Sequence, residues 1–167
     1  NVTRTASDTY RIELKDGQSI AWGETVLISY AKGNVQAENE AYLESFAGIA
    51  AENTVPAPRP QFISGETTED GITIKVTFDR EMADPTGKHG QFNLGINETQ
   101  TTNRKTVQTA IESATLNSAD AKIIELGLNR AVTNGDILTL DYTAGDVEST
   151  DGAALESFTA KPVSNKV

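Results

Sequence analysis

The chain has no cysteine, and only one methionine, one tryptophan and one histidine among its 167 residues. Without cysteine there can be no disulfide, no thiolate-bound zinc and no thiol nucleophile. Basic residues are also short: 14 Lys and Arg stand against 24 Asp and Glu, for a net charge of −10. That balance argues against nucleic-acid binding, because a phosphate backbone needs a Lys/Arg surface. An acidic surface instead keeps a domain soluble and apart from its neighbours. No apolar run approaches the roughly 20 residues of a membrane-spanning helix, so membrane insertion is not expected. Asn1 stands in the middle of a repeated unit, so the lack of a targeting segment carries no information about destination.

What is present is a duplication. Shifted by 112 positions, residues 1–55 align without a gap on residues 113–167, with 16 of the 55 positions identical. Ile12-Glu13-Leu14 falls on Ile124-Glu125-Leu126, Tyr30 on Tyr142, Gly33 on Gly145 and Val35 on Val147. Leu43-Glu44-Ser45-Phe46 falls on Leu155-Glu156-Ser157-Phe158. An ungapped match of this length marks a modular repeat: one complete copy, preceded by the second half of another. The expected domains are therefore a half repeat at 1–55, a linker at 56–60 and a complete repeat at 61–167. Val55-Pro56-Ala57-Pro58-Arg59-Pro60 favours polyproline II and forms a semi-rigid spacer.

Within the complete copy the apolar residues recur with a period of two, which is the signature of strands with one wet and one dry face. Ile72, Ile74, Val76 and Phe78 alternate with polar residues, as do Phe92, Leu94 and Ile96. Further strands are expected at 61–63, 107–111, 122–126 and 138–142, with a last one between Leu155 and Val163. The abundance of Thr, Val and Ile fits strands better than helices. About seven strands separated by Gly, Asn and Asp turns predict an all-β, antiparallel sandwich. Asn39–Phe46 and its copy Asp151–Phe158 could each form a single capped helical turn, or an extended segment. The half repeat supplies about three strands, which leave one apolar face uncovered and cannot close a sandwich alone. Upstream strands of a longer array are the expected complement; a second chain, or packing on 56–167, are the alternatives.

The run Ile72-Thr-Ile-Lys-Val-Thr-Phe78-Asp-Arg-Glu-Met82-Ala-Asp84-Pro85 resembles the opening of bacterial immunoglobulin-like repeats. Gly135-Asp136 through Tyr142, Gly145, Asp151-Gly152, Leu155, Phe158 and Val163-Ser-Asn165 resembles the swimming-motility type of such repeats. The resemblance spans 56–167, and 1–55 matches its second half. It implies a bacterial extracellular or cell-surface setting, among adhesins and multimodular polysaccharide-degrading enzymes, and no catalytic residues.

Comparing the two copies separates core from candidate site. Positions that stay apolar in both, such as Val26, Ile28 and Tyr30 against Leu138, Leu140 and Tyr142, serve the shared fold. The tyrosines are expected to bury their rings and satisfy their hydroxyls on a carbonyl. Trp22 and Tyr42 face Asn134 and Ala154 in the other copy, and both are expected in turns. An aromatic ring there can stack on the apolar face of a sugar, which makes Trp22 and Tyr42 the carbohydrate-binding candidates; packing on missing strands is the plainer explanation. Asp146, Glu148 and Asp151 crowd one loop, and Asp79, Glu81 and Asp84 another. Three carboxylates can begin a calcium site, although neither loop has EF-hand spacing and acids also simply solvate turns. His89 stands in a polar loop without a Ser or Cys partner motif, so the chain is not expected to be an enzyme. The reading that follows is a non-catalytic accessory or spacer module of an exported glycan-degrading protein, with polysaccharide or adjacent domains as partners. A stalk repeat of a surface adhesin is the alternative.

Overall fold

The computed structural model describes the backbone of residues 1–97 and 106–167, and the side chains of 1–96 and 110–167. The chain divides into two compact units, Asn1–Ala57 and Pro58–Val167. The division falls inside the proline-rich stretch, where alternate prolines remove the N–H groups that a sheet ladder needs.

The first unit holds two hairpins. Strand β1 (Val2–Arg4) pairs with β2 (Tyr10–Ile12), and β3 (Val26–Tyr30) pairs with β4 (Phe46–Ala51), both antiparallel. No residue of this unit is fully buried. Val26, Ile28 and Tyr30 are only half-buried, although their alternation follows the expected dry face.

Among its described residues the second unit holds eight strands where seven were expected: β5 (Phe62–Thr67), β6 (Thr73–Phe78), β7 (Phe92–Asn97), β8 (Thr106–Thr109), β9 (Ile111–Leu116), β10 (Ile123–Leu128), β11 (Ile137–Tyr142) and β12 (Phe158–Ser164). The extra strand arises because 107–111 is not continuous: the chain breaks at Ala110, with β8 pairing to β7 and β9 to β10. A 3₁₀ turn, His89–Gln91, lies between β6 and β7, and Asp151–Phe158 runs from a turn at Asp151-Gly152 into non-helical chain.

The strands run β8-β7-β11-β12-β5-β6-β10-β9. All pairs are antiparallel except β12 with β5, where Val163 faces Gly65 and Ser164 faces Glu66. Apolar residues from both sides of that parallel pair, including Ile74, Val76, Phe78 and Leu126 from one and Phe92, Leu94, Leu140 and Tyr142 from the other, share one core cluster. The sheet is thus curled on itself into a sandwich. Its halves, β5-β6-β10-β9 and β12-β11-β7-β8, follow the strand order of an immunoglobulin-like sandwich. Ile72, at the head of the alternating run, is exposed because it precedes β6 and lies in the turn after Gly71.

The two copies match in their hydrogen bonds as well as their sequence. Gly33 N–H donates to the Tyr30 hydroxyl at 2.9 Å, and Gly145 N–H to the Tyr142 hydroxyl at 3.1 Å. The hydroxyl partner is therefore a backbone N–H in both copies, where a carbonyl was expected; Tyr142 in turn donates to Gln91 Oε1 at 3.2 Å. Lys32 N–H donates to Ser45 Oγ and Ala144 N–H to Ser157 Oγ, both at 2.8 Å. Asn53 Nδ2 donates to the carbonyls of Ala21 and Glu24, and Asn165 Nδ2 to those of Thr133 and Asp136. Rings Tyr30–Phe46 and Tyr142–Phe158 stack at 5.8 and 5.7 Å. Each pair of equivalent strands also carries an irregularity just before its tyrosine. These side chains are recurrent because they satisfy backbone groups that the sharp exit from the strand would otherwise leave unpaired. One feature differs: Ile12 faces Val2, whereas its counterpart Ile124 faces Leu116, so the β1–β2 register is displaced by two residues. An even displacement keeps each side chain on its original face.

Candidate functional site

The acidic loop after β11 is stitched to the β6–β7 connection. Met82 bridges to Ser149, Ala83 N–H donates to the Glu148 carbonyl at 2.9 Å, and Lys88 Nζ donates to the Asp146 carbonyl at 2.7 Å. Gln91 Oε1 accepts from Asp146 N–H at 3.1 Å. The Arg80 guanidinium lies between two acids, 3.3 Å from Asp79 and 3.5 Å from Asp151. The Asp151 carboxylate also accepts from the Ser149 hydroxyl.

The calcium candidates Asp146, Glu148 and Asp151 stand in this loop. Among the described residues no three acids or histidines gather into a group that could hold an ion, and Asp146, Glu148 and Asp151 do not converge. The physical reason is that Asp151 turns to Arg80 and Ser149, while Asp146 and Glu148 engage the β6–β7 connection through backbone atoms. In the other loop Asp84 accepts from Thr86 N–H at 3.0 Å and from its hydroxyl at 2.7 Å, a local turn closure. The carboxylates of Asp79, Asp84 and Asp151 thus serve turns and a cation already in the chain.

Their protonation follows. The hydrogen bond from Arg80, helped by the Gln61 N–H, holds the Asp79 carboxyl below the usual range. The Ser149 hydroxyl foremost, with the Ala153 N–H and Arg80, does the same for Asp151 against the opposing effect of desolvation. A carboxyl whose folded pKa lies below its unfolded value of about 3.9 contributes stability above that value and loses it as pH falls through the folded pKa. The second unit should therefore melt at a nearly constant temperature from about pH 5 to 8 and progressively lower below about pH 4. Arg80→Gln should flatten the acid limb in a calorimetric pH series; an unchanged limb would show that the Arg80 cluster does not set it.

Neither sugar-binding candidate is hidden. Trp22 is 44% exposed in a turn and Tyr42 is 53% exposed, the latter in a bridge with Gln36 rather than in a turn. The ring contacts of the described side chains do not join the two. His89 is half-buried in the 3₁₀ turn. A hollow of about 640 Å³ is a shallow depression lined by Glu66, Thr67, Thr68, Glu69, Asp70, Lys75 and Lys166. Two of its carboxylates are engaged locally: Lys166 lies 3.7 Å from Glu66, and Asp70 accepts from the Thr68 hydroxyl. It offers neither a nucleophile–base pair nor the deep apolar walls of a substrate cleft.

A different feature, not singled out by residue type, stands out in the first unit. A groove of about 370 Å³ is lined by Ile12, Leu14, Ile20, Val26, Leu27 and Ile28. The signal was available in the duplication, since most of these residues match positions that are core in the second unit. Among the described residues no helix is long and apolar enough to cross a membrane, which says nothing of β-barrels.

No protein-family model and no curated protein matches the chain. Among solved structures, the crystal structure of the S-layer protein rSbsC(31-844) is similar with a TM-score of 0.51 and 19% identity, over 64% of this chain and 14% of that one. The structure of surface layer protein SbsC, domains 1-6, is similar with a TM-score of 0.51 and 20% identity, again over 64% and 14%. The likeness is one of fold, and the chain spans a small fraction of the length of either structure.

Proposed function

We propose that this chain is a non-catalytic structural module of a bacterial cell-surface or exported protein: one link of a tandem array of immunoglobulin-like repeats of the swimming-motility type. Its work is to hold neighbouring domains at a set distance. The observation that carries this reading is the duplication of side chains that satisfy the fold itself, Tyr30 and Tyr142, Ser45 and Ser157, Asn53 and Asn165. Residues recurrent for self-packing, joined by a proline-rich spacer, describe a building block. Similarity to domains of surface-layer proteins supports the surface setting. Small-angle scattering from chains with one, two and three tandem copies of 56–167 tests it. The maximum dimension should grow by equal increments, whereas growth as the cube root of mass would mean collapse and end the spacer role.

The finer form, an accessory module beside a glycan-degrading domain that itself binds polysaccharide, is favoured by the exposure of Trp22 and Tyr42. Affinity electrophoresis against a panel of plant polysaccharides, with Trp22→Ala as control, tests it directly. Retardation abolished by the substitution supports sugar binding; no retardation on any polysaccharide leaves the spacer or the adhesin stalk.

A further inference from the structure

In the second unit every face that the first unit leaves open is covered, and the duplication says by what. Ile124 and Leu126 of β10 are 0% exposed, while their counterparts Ile12 and Leu14 are 55% and 48% exposed. Leu155 is 2% exposed and its counterpart Leu43 is 42% exposed. The difference has two sources in the second unit. Strand β6 pairs with β10, setting Val76 against Ile124 and Ile74 against Leu126. Strand β7 pairs with β11, setting Ile96 against Leu138, Leu94 against Leu140 and Phe92 against Tyr142. Both covering strands belong to the first half of the repeat, residues 58–112. In the first unit, β2 pairs with β1 alone and β3 with β4 alone, so the edges that would receive them present unpaired backbone groups beside an apolar groove.

We propose that the open face of the first unit is a docking surface for the first half of a repeat, a segment patterned like residues 58–112 and joined ahead of Asn1 as residue 112 is joined to residue 113. One of its strands takes the edge of β2 with a Val76-like residue opposite Ile12. Another takes the edge of β3 with Leu94-like and Phe92-like residues opposite Ile28 and Tyr30. The occupant follows from three matches at once: covalent order, ladder register and apolar pattern. A second copy of this chain is disfavoured, because its own 58–112 already completes its own 113–167 and would have to abandon that core. The proposal stands whether the module serves as spacer, stalk or accessory.

The test uses the full chain and the full chain preceded by a second copy of residues 58–112. Amide hydrogen exchange of β3 is compared with that of β11 in each. With the added half repeat, exchange at Leu27 and Ser29 should slow by about a hundredfold or more, toward the protection of the matched amides of β11. A control carries Asp in place of Val76 and Leu94 in the added copy only, so the resident second unit is untouched; it should return β3 to its original exchange. Unchanged exchange in the extended chain would overturn the proposal. So would protection already present in the unextended chain that rises with its concentration, since the occupant would then be a second copy.

Discussion

Leu140→Ala should lower the unfolding free energy of the second unit by about 2–5 kcal/mol, whereas the matched substitution Ile28→Ala in the first unit should cost less than about 1 kcal/mol. The two positions have the same place in the repeat and the same local strand, and they differ in what lies over them. Leu140 is fully buried, with β7 on one side and β12 on the other, so truncation loses its transfer free energy and leaves a cavity in a close-packed interior. Ile28 is half-buried beside an open groove, so water already reaches the site and no cavity forms. The units can be followed separately, because the single tryptophan, Trp22, belongs to the first. Its fluorescence reports that unit in a urea titration, while hydrogen exchange of β11 reports the second. Equal losses at the two positions would mean that the first unit has a closed core of its own.

Gly71→Ala is the second large effect, expected at about 2–4 kcal/mol. Gly71 has φ +71°, and a Cβ there would lie 2.6 Å from the Val132 carbonyl oxygen. The clash has no cheap relief. Gly71 N–H donates to Thr68 O at 3.0 Å and Gly71 O accepts from Val132 N–H at 2.9 Å, so both backbone groups of the turn are held, and Val132 is itself core. Gly87→Ala provides the contrast: its φ is +81°, but a Cβ there meets nothing within 4 Å. Only the intrinsic penalty of a left-handed alanine, about 1 kcal/mol, should appear. Urea midpoints of the two variants give the comparison; similar losses would show that the Val132 carbonyl yields easily.

Much of this was legible in the chain because alternation and turn chemistry are local. The period of two in Ile74, Val76 and Phe78 and in Phe92, Leu94 and Ile96 marks the buried faces of β6 and β7 without reference to any partner. Ala110 was less legible. A break in one apolar run leaves two strands only because their ladders go to different neighbours, β7 and β10. The partners of the acids were not legible for a related reason. Asp146, Glu148 and Asp151 are close in sequence, but a cation site needs their oxygens to converge, and Arg80 arrives beside Asp151 from a loop some seventy residues earlier.

The sequence by itself determined that the chain is built of β-strands, that its second half repeats its beginning, and which side chains each copy needs for its own turns. These follow from periodicities and spacings that act over a few residues. Tertiary structure decided in which of the two copies the inward-facing apolar residues are dry. Ile12 and Ile124 are the same residue at the same place in the repeat, and the strands β6 and β7 that complete the second unit separate an exposed side chain from a buried one. Burial is a property of what the rest of the chain places over a residue, so identical local sequence leaves it open.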